Sequence, residues 1–153
     1  MGGDHYTLQR NDIIYPKLSY VINGVLFDVY RQIGAGHKES YFQKAVAVGF
    51  MSKEINFEEQ FYVPLKMNGE IVGKYFLDFL VEDKIVVELK RGRFVLSDLI
   101  NQVGAYLESA DKLLAIVACF TYRGVIIKRI INHKKLQKMK EDNTLYSFDV
   151  FTS

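Results

Sequence analysis

In DFLVEDKIVVELK, two apolar, strand-like runs on either side of Glu82-Asp83-Lys84 carry Asp78, Glu88 and Lys90. An unpaired charge is costly to bury, so acids in such a run face water or face something the protein binds. In an antiparallel hairpin the paired residue numbers sum to a constant. A connection made of Glu82, Asp83 and Lys84 sets Val81 against Ile85 and Asp78 against Glu88. Like charges directly opposed destabilise a sheet, and a cation between them removes that cost. Oxygen ligands of this kind suit a hard cation, which can polarise a bound group and acidify a water. By the strand period of two, Lys90 shares the face of Glu88, while Leu89 points into the opposite layer. A two-residue turn instead puts the acids out of register, and the constellation then needs a bulge or a twist at the strand end.

The elements that must position these residues show in the spacing of apolar positions. Leu18, Val21, Ile22, Val25, Leu26, Val29 and Ile33 recur at helical intervals and stop at the GAG of Gly34 to Gly36. A second helix is expected from Lys38 to Lys53, with Phe42, Ala45, Val46 and Gly49 inward and Glu39 in its first turn. QFYVPLKM and IVGKYFLDFLVE flank Asn68-Gly69, a strong hairpin signal because both residues tolerate positive φ. IVVELK follows, and all three runs are apolar on both faces, as in a sheet covered by helices on both sides. Leu96, Leu99, Ile100, Val103 and Leu107 define a third helix with Ser97 as its expected N-cap. LLAIVACF and GVIIKRIIN read as two further strands, and residues 1–16 have little pattern. The order predicts an α/β core with a mixed sheet.

At 153 residues, 49% hydrophobic and 25% charged, the chain suits one domain over 1–153, its core spanning about 18–132. Cys119 is the only cysteine, which excludes an intrachain disulfide and favours a reducing, cytoplasmic compartment. His5, His37 and His133 are too scattered for a zinc pattern, and no apolar run has the length of a membrane span. Net charge is only +2, but Lys128 to Lys140 (KRIINHKKLQKMK) carries six basic residues and no acid. Within this basic segment, which runs on to residue 153, Lys128, Arg129, Lys134, Lys135 and Lys138 are candidates to contact phosphate.

Asp78 followed by Glu88-Leu89-Lys90 resembles the D…(D/E)xK signature of the PD-(D/E)XK nuclease superfamily. Upstream, GHKESYF is similar to the GxxExxY motif of a family of small bacterial proteins within it. Glu39 takes the acidic position, and Phe42, beside Tyr41, stands where the motif has Tyr. Downstream, QVGAY places Gln102 and Tyr106 as in the QxxxY element of RecB-like nucleases. The resemblance implies a restriction-endonuclease-like fold, a central mixed β-sheet flanked by α-helices. It also implies a Mg²⁺-dependent hydrolase, with Mn²⁺ as a substitute ion, acting on nucleic acid and on DNA first. Asp78, Glu88 and the Leu89 carbonyl would be metal ligands, with Glu39 acting through water or on a second ion. Lys90 would act on the attacking water or the phosphate, positioned by Gln102 and Tyr106. The acids are then expected to converge on one pocket, Lys90 alongside and Glu39 at its rim. Cutting both strands of a duplex would favour a homodimer. Two other classes compete: a nucleic-acid-binding module without catalysis, and a protein-interaction domain with a vestigial site. Clustered carboxylates repel phosphate unless a cation intervenes, which favours the enzyme.

Overall fold

The computed structural model describes residues 13–145 and 149–153; His5 and most of the patternless N-terminal stretch lie outside them. Helix α1 spans Pro16–Ile33, α2 Glu39–Ser52, β1 Phe57–Met67, β2 Glu70–Val81 and β3 Ile85–Arg91. Then come α3, Leu96–Ala110; β4, Leu114–Thr121; β5, Gly124–Ile131; and α4, His133–Glu141. The strands form one five-stranded sheet in chain order, with β3 and β4 parallel and every other neighbouring pair antiparallel. Parallel neighbours need a crossover, and α3 supplies it.

Residue alternation on β3 and β4 sorts the core into two layers. Val87, Leu89, Ile116 and Ala118 pack with Ile22, Leu26, Phe42 and Phe50 of α1 and α2. Val86, Ala115, Val117 and Cys119 pack with Leu99, Val103 and Leu107 of α3. Proline at the start of α1 is pre-set for a first helical turn, and Gly34 ends the helix with its N–H on the Tyr30 carbonyl. Gly49 lets α2 lie against α1, since a Cβ there would come within 2.5 Å of Val25 Cγ1. The C-terminal residues close this layer: the Tyr15 N–H donates to the Val150 carbonyl and the Leu18 N–H to the Ser153 carbonyl.

Three expectations change. Coverage of the sheet on both faces holds for β3 and β4 but not for the outer β1–β2 arm, where Ile71 is 60% and Phe76 50% exposed. Val95, not Ser97, stands before α3, and no side chain caps that helix. The basic segment holds α4, whose Asn132 accepts a cap bond from the Lys135 N–H. Two turns set the registers. Asn68 and Gly69 both take positive φ (50° and 80°), as a two-residue hairpin needs. At the other end, Glu82, Asp83 and Lys84 connect the strands, with Val81 opposite Ile85.

Candidate active site

The β2–β3 ladder pairs Val81 with Ile85, Leu80 with Val86 and Phe79 with Val87, and ends there. The next two residues in that register are Asp78 and Glu88, where side chains replace the backbone ladder. The Asp78 N–H donates to Glu88 Oε1 at 2.7 Å, and the Leu89 N–H donates to Asp78 Oδ2 at 2.8 Å. Each carboxylate thus occupies a backbone donor of the opposite strand.

The strands part here because the hairpin arm kinks. Phe57, Phe79 and Val81 belong to the layer of α1 and α2, whereas Phe61, Val63 and Leu77 belong to the layer of α3. Odd-numbered residues therefore change face across Gln60 and Asp78. Gln60 takes a left-handed φ of 47°, which an L-residue adopts only at a cost. Its amide donates to Gln43 Oε1 on α2 at 2.9 Å and reaches Asp78 Oδ1 at 3.5 Å. Neither glutamine was among the candidates. The two-residue turn alone pairs Met67 with Glu70 and would place Glu59 against Asp78, a third acid. Between Lys66–Ile71 and Leu65–Gly73 the register slips by one, with Val72 as the extra residue, and Gln60 comes opposite instead.

Burial and mutual repulsion dominate the electrostatics. Glu88 is 4% exposed, and burial first, then the Asp78 charge, push its carboxyl up to about 8. Asp78 is raised too, by burial and then by Glu39, against the lowering effects of the Leu89 N–H, Lys90 and Gln60. Glu39, exposed at the start of α2, is close enough to act on both acids through its charge. Lys90, the cation acting on both, lines a depression of about 280 Å³ with Phe94, Val95, Asp98, Leu99 and Gln102. The Tyr106 ring packs on Tyr75 at 4.8 Å, and burial, then Glu88, raise its hydroxyl. Leu89 joins the group by its backbone alone, its side chain lying in the opposite layer.

The basic candidates gather elsewhere. Lys134 pairs with Glu108 at 3.3 Å and Lys135 with Asp111 at 2.9 Å. Arg129 donates to Ser19 Oγ and to the Ile14 carbonyl, tying β5 to the start of α1. Lys138 shares a cavity with Lys134 and Lys135, and Lys128 faces Val117 across the β4–β5 ladder.

No group of three or more His, Cys, Asp or Glu forms a metal cage among the described residues. Two convergent carboxylates fit an ion that keeps several waters, and a cation is what their shared repulsion calls for.

The family model described as the PD-(D/E)XK nuclease superfamily matches residues 16–130. No curated protein matches the chain. Among solved structures it is similar to one titled "Crystal structure of SSO0001", with 16% identity and a TM-score of 0.49. That similarity covers 70% of this chain and 57% of the other, so this chain spans less than two thirds of that one. The family match runs from the start of α1 nearly to the end of β5, over a mixed five-stranded sheet flanked by helices, consistent with a restriction-endonuclease-like α/β fold. The chain belongs to the PD-(D/E)XK nuclease superfamily.

Proposed function

We propose that this chain is a Mg²⁺-dependent nuclease of the GxxExxY type that hydrolyses phosphodiester bonds, DNA being the expected substrate and Mn²⁺ an alternative ion. The observation that supports this most is the crossed pair at the end of the β2–β3 ladder. A half-buried and a buried acid, Asp78 and Glu88, lean across neighbouring strands, with Lys90 the cation acting on both. Superfamily members generally use divalent metals, and the carboxylate oxygens of Asp78 and Glu88 with the Leu89 carbonyl form a suitable oxygen set. When bound, the ion supplies Lewis acidity at the phosphate and a water of lowered pKa. Lys90 donates to that water or to the phosphate oxygens on which charge grows. Gln102, in the same depression, orients Lys90 or the phosphate. Gln60 steadies the Asp78 carboxylate from the β1 side, and Tyr106 closes the α3 side of the pair. Glu39 acts at the rim through water or on a second ion.

The test uses purified protein with labelled single-stranded and duplex DNA and RNA, with Mg²⁺, Mn²⁺ or a chelator. Asp78→Asn keeps shape and removes a metal-binding charge; Lys90→Ala removes the proposed donor. Each is expected to abolish cleavage while circular dichroism and binding persist, and their effects are expected to be non-additive because both act in one step. Cutting that survives both substitutions refutes this site. Tight binding with no cutting under any metal favours the binding module.

A further inference from the structure

The chain carries a second electropositive feature, at the end of the sheet to which β3 and β4 run. A notch of about 720 Å³ is lined there by Arg91, Arg93 and Arg123 with Phe94, Tyr122 and Gly36, and no acid borders it. Arg93 and Arg123 form no ion pair among the described residues, and Tyr122 is 88% exposed. Arg91 donates to the His37 carbonyl, so one guanidinium is anchored where the chain enters α2. The Tyr122 phenol lies over Gly36, whose lack of a side chain leaves room for it: a Cβ there would lie 3.0 Å from its hydroxyl.

The cavity beside the basic segment has a different character. Five lysines line it together with five acids, among them the partners of Lys134 and Lys135. Three of those lysines, Lys112, Lys134 and Lys135, are paired with acids of the protein. The start of α4 adjoins Leu113, just before β4, while Arg123 follows the end of β4. At about 3.3 Å per residue, the length of β4 sets them about 25 Å apart. Phe94 connects the Arg notch to Lys90, since it borders both the notch and the depression holding Lys90 and Gln102.

We infer that the notch is the substrate-binding track for a single-stranded polynucleotide, its phosphates on Arg93 and Arg123 and a base on Tyr122, leading past Phe94 to Lys90. This rests on the nuclease reading for its purpose, though not for its binding chemistry. Guanidiniums take phosphate oxygens in pairs, and an exposed ring stacks on any base that is not already stacked in a duplex.

Fluorescence anisotropy in a chelator, where cleavage is silent, tests the track. The probe is a fluorescein-labelled strand of about 12 thymidines, within the usual site size. A self-complementary duplex of equal length serves for comparison. Arg93→Ala with Arg123→Ala is expected to weaken strand binding tenfold or more and to flatten its salt dependence by about 1.4 in slope, two single-strand contacts. Tyr122→Ala is expected to weaken strand binding at least about fivefold and duplex binding less. Both lie on an exposed rim, and circular dichroism checks that they fold. Native-like strand binding by the folded double variant overturns the inference, as does loss of binding in Lys134→Ala/Lys135→Ala/Lys138→Ala instead. Loss of binding in the notch variants beside a native protein that never cuts leaves the track standing and removes only the nuclease.

Discussion

Glu88 is a carboxyl held against its own ionisation. Its folded value of about 8 lies above the model-compound value of 4.5, with burial and then Asp78 as the causes. A carboxyl raised on folding stabilises the protein below its unfolded pKa, and that stability is lost as pH rises through the folded one. Metal-free protein is therefore expected to melt at lower temperature as pH climbs from about 5 to above 8, in thermal scans with chelator present. Mg²⁺ binding must expel the same proton, so the stabilisation it gives is expected to grow over that interval. Glu88→Gln keeps an oxygen for the Asp78 N–H and removes one of the two repelling charges. It is expected to flatten the metal-free profile, to abolish the Mg²⁺ response and to stop cleavage. An unchanged pH profile in Glu88→Gln would assign the titration to another group.

Among the elements, the β1–β2 arm decides what stands beside Asp78, through its left-handed residue and its bulge. Gln60→Gly keeps the backbone without strain and deletes the amide, so the melting temperature is expected to stay near the native one while cleavage falls several-fold. Gln60→Val also deletes the amide but retains the cost of about 1–2 kcal/mol that an L-residue meets in the left-handed region, visible as a denaturant midpoint below that of Gln60→Gly. Equal stability of the two variants would show that this backbone relaxes. The same arm marks where sequence reading ran out. Helical spacing and Asn68-Gly69 were legible because each is a local signal; Asp78 against Glu88 followed by arithmetic only from the three-residue connection at Glu82, one of two turn lengths the sequence allowed. Gln43 and Gln60 were not legible, because pairing counted from Asn68-Gly69 puts Glu59 opposite Asp78 until Val72 bulges out. Helix α4 was hidden for another reason: Leu136 and Met139 are its only apolar residues, so charge concealed its period. Six basic residues in sequence likewise did not reveal that Lys134 and Lys135 have acidic partners on and beside α3.

Across the whole molecule, a net charge of +2 divides into a neutralised end around α4 and an acid-free notch at the other end. Replacing Lys134, Lys135 and Lys138 by Ala is expected to cost up to about 1 kcal/mol for each broken surface pair, read from urea midpoints, and to leave the salt slope of polynucleotide binding unchanged. A flattened slope would return phosphate contact to α4. Among the described residues no helix is long and apolar enough to cross a membrane. The fold must also keep its copies apart, and here the kink at Gln60 has a second effect. Strand β1 is one of the two end strands of the sheet, eleven residues long, with an open row of backbone donors and acceptors. Such a row invites another chain to add itself as the next strand. The left-handed turn at Gln60 breaks the row, and Pro64 lacks a donor, so β1 offers 57–59, 61–63 and 65–67 rather than one continuous ladder. An intruding strand finds no uninterrupted run of even the usual five or six residues there, so the bend that faces Gln60 toward Asp78 also guards the β1 edge against fibrous self-association.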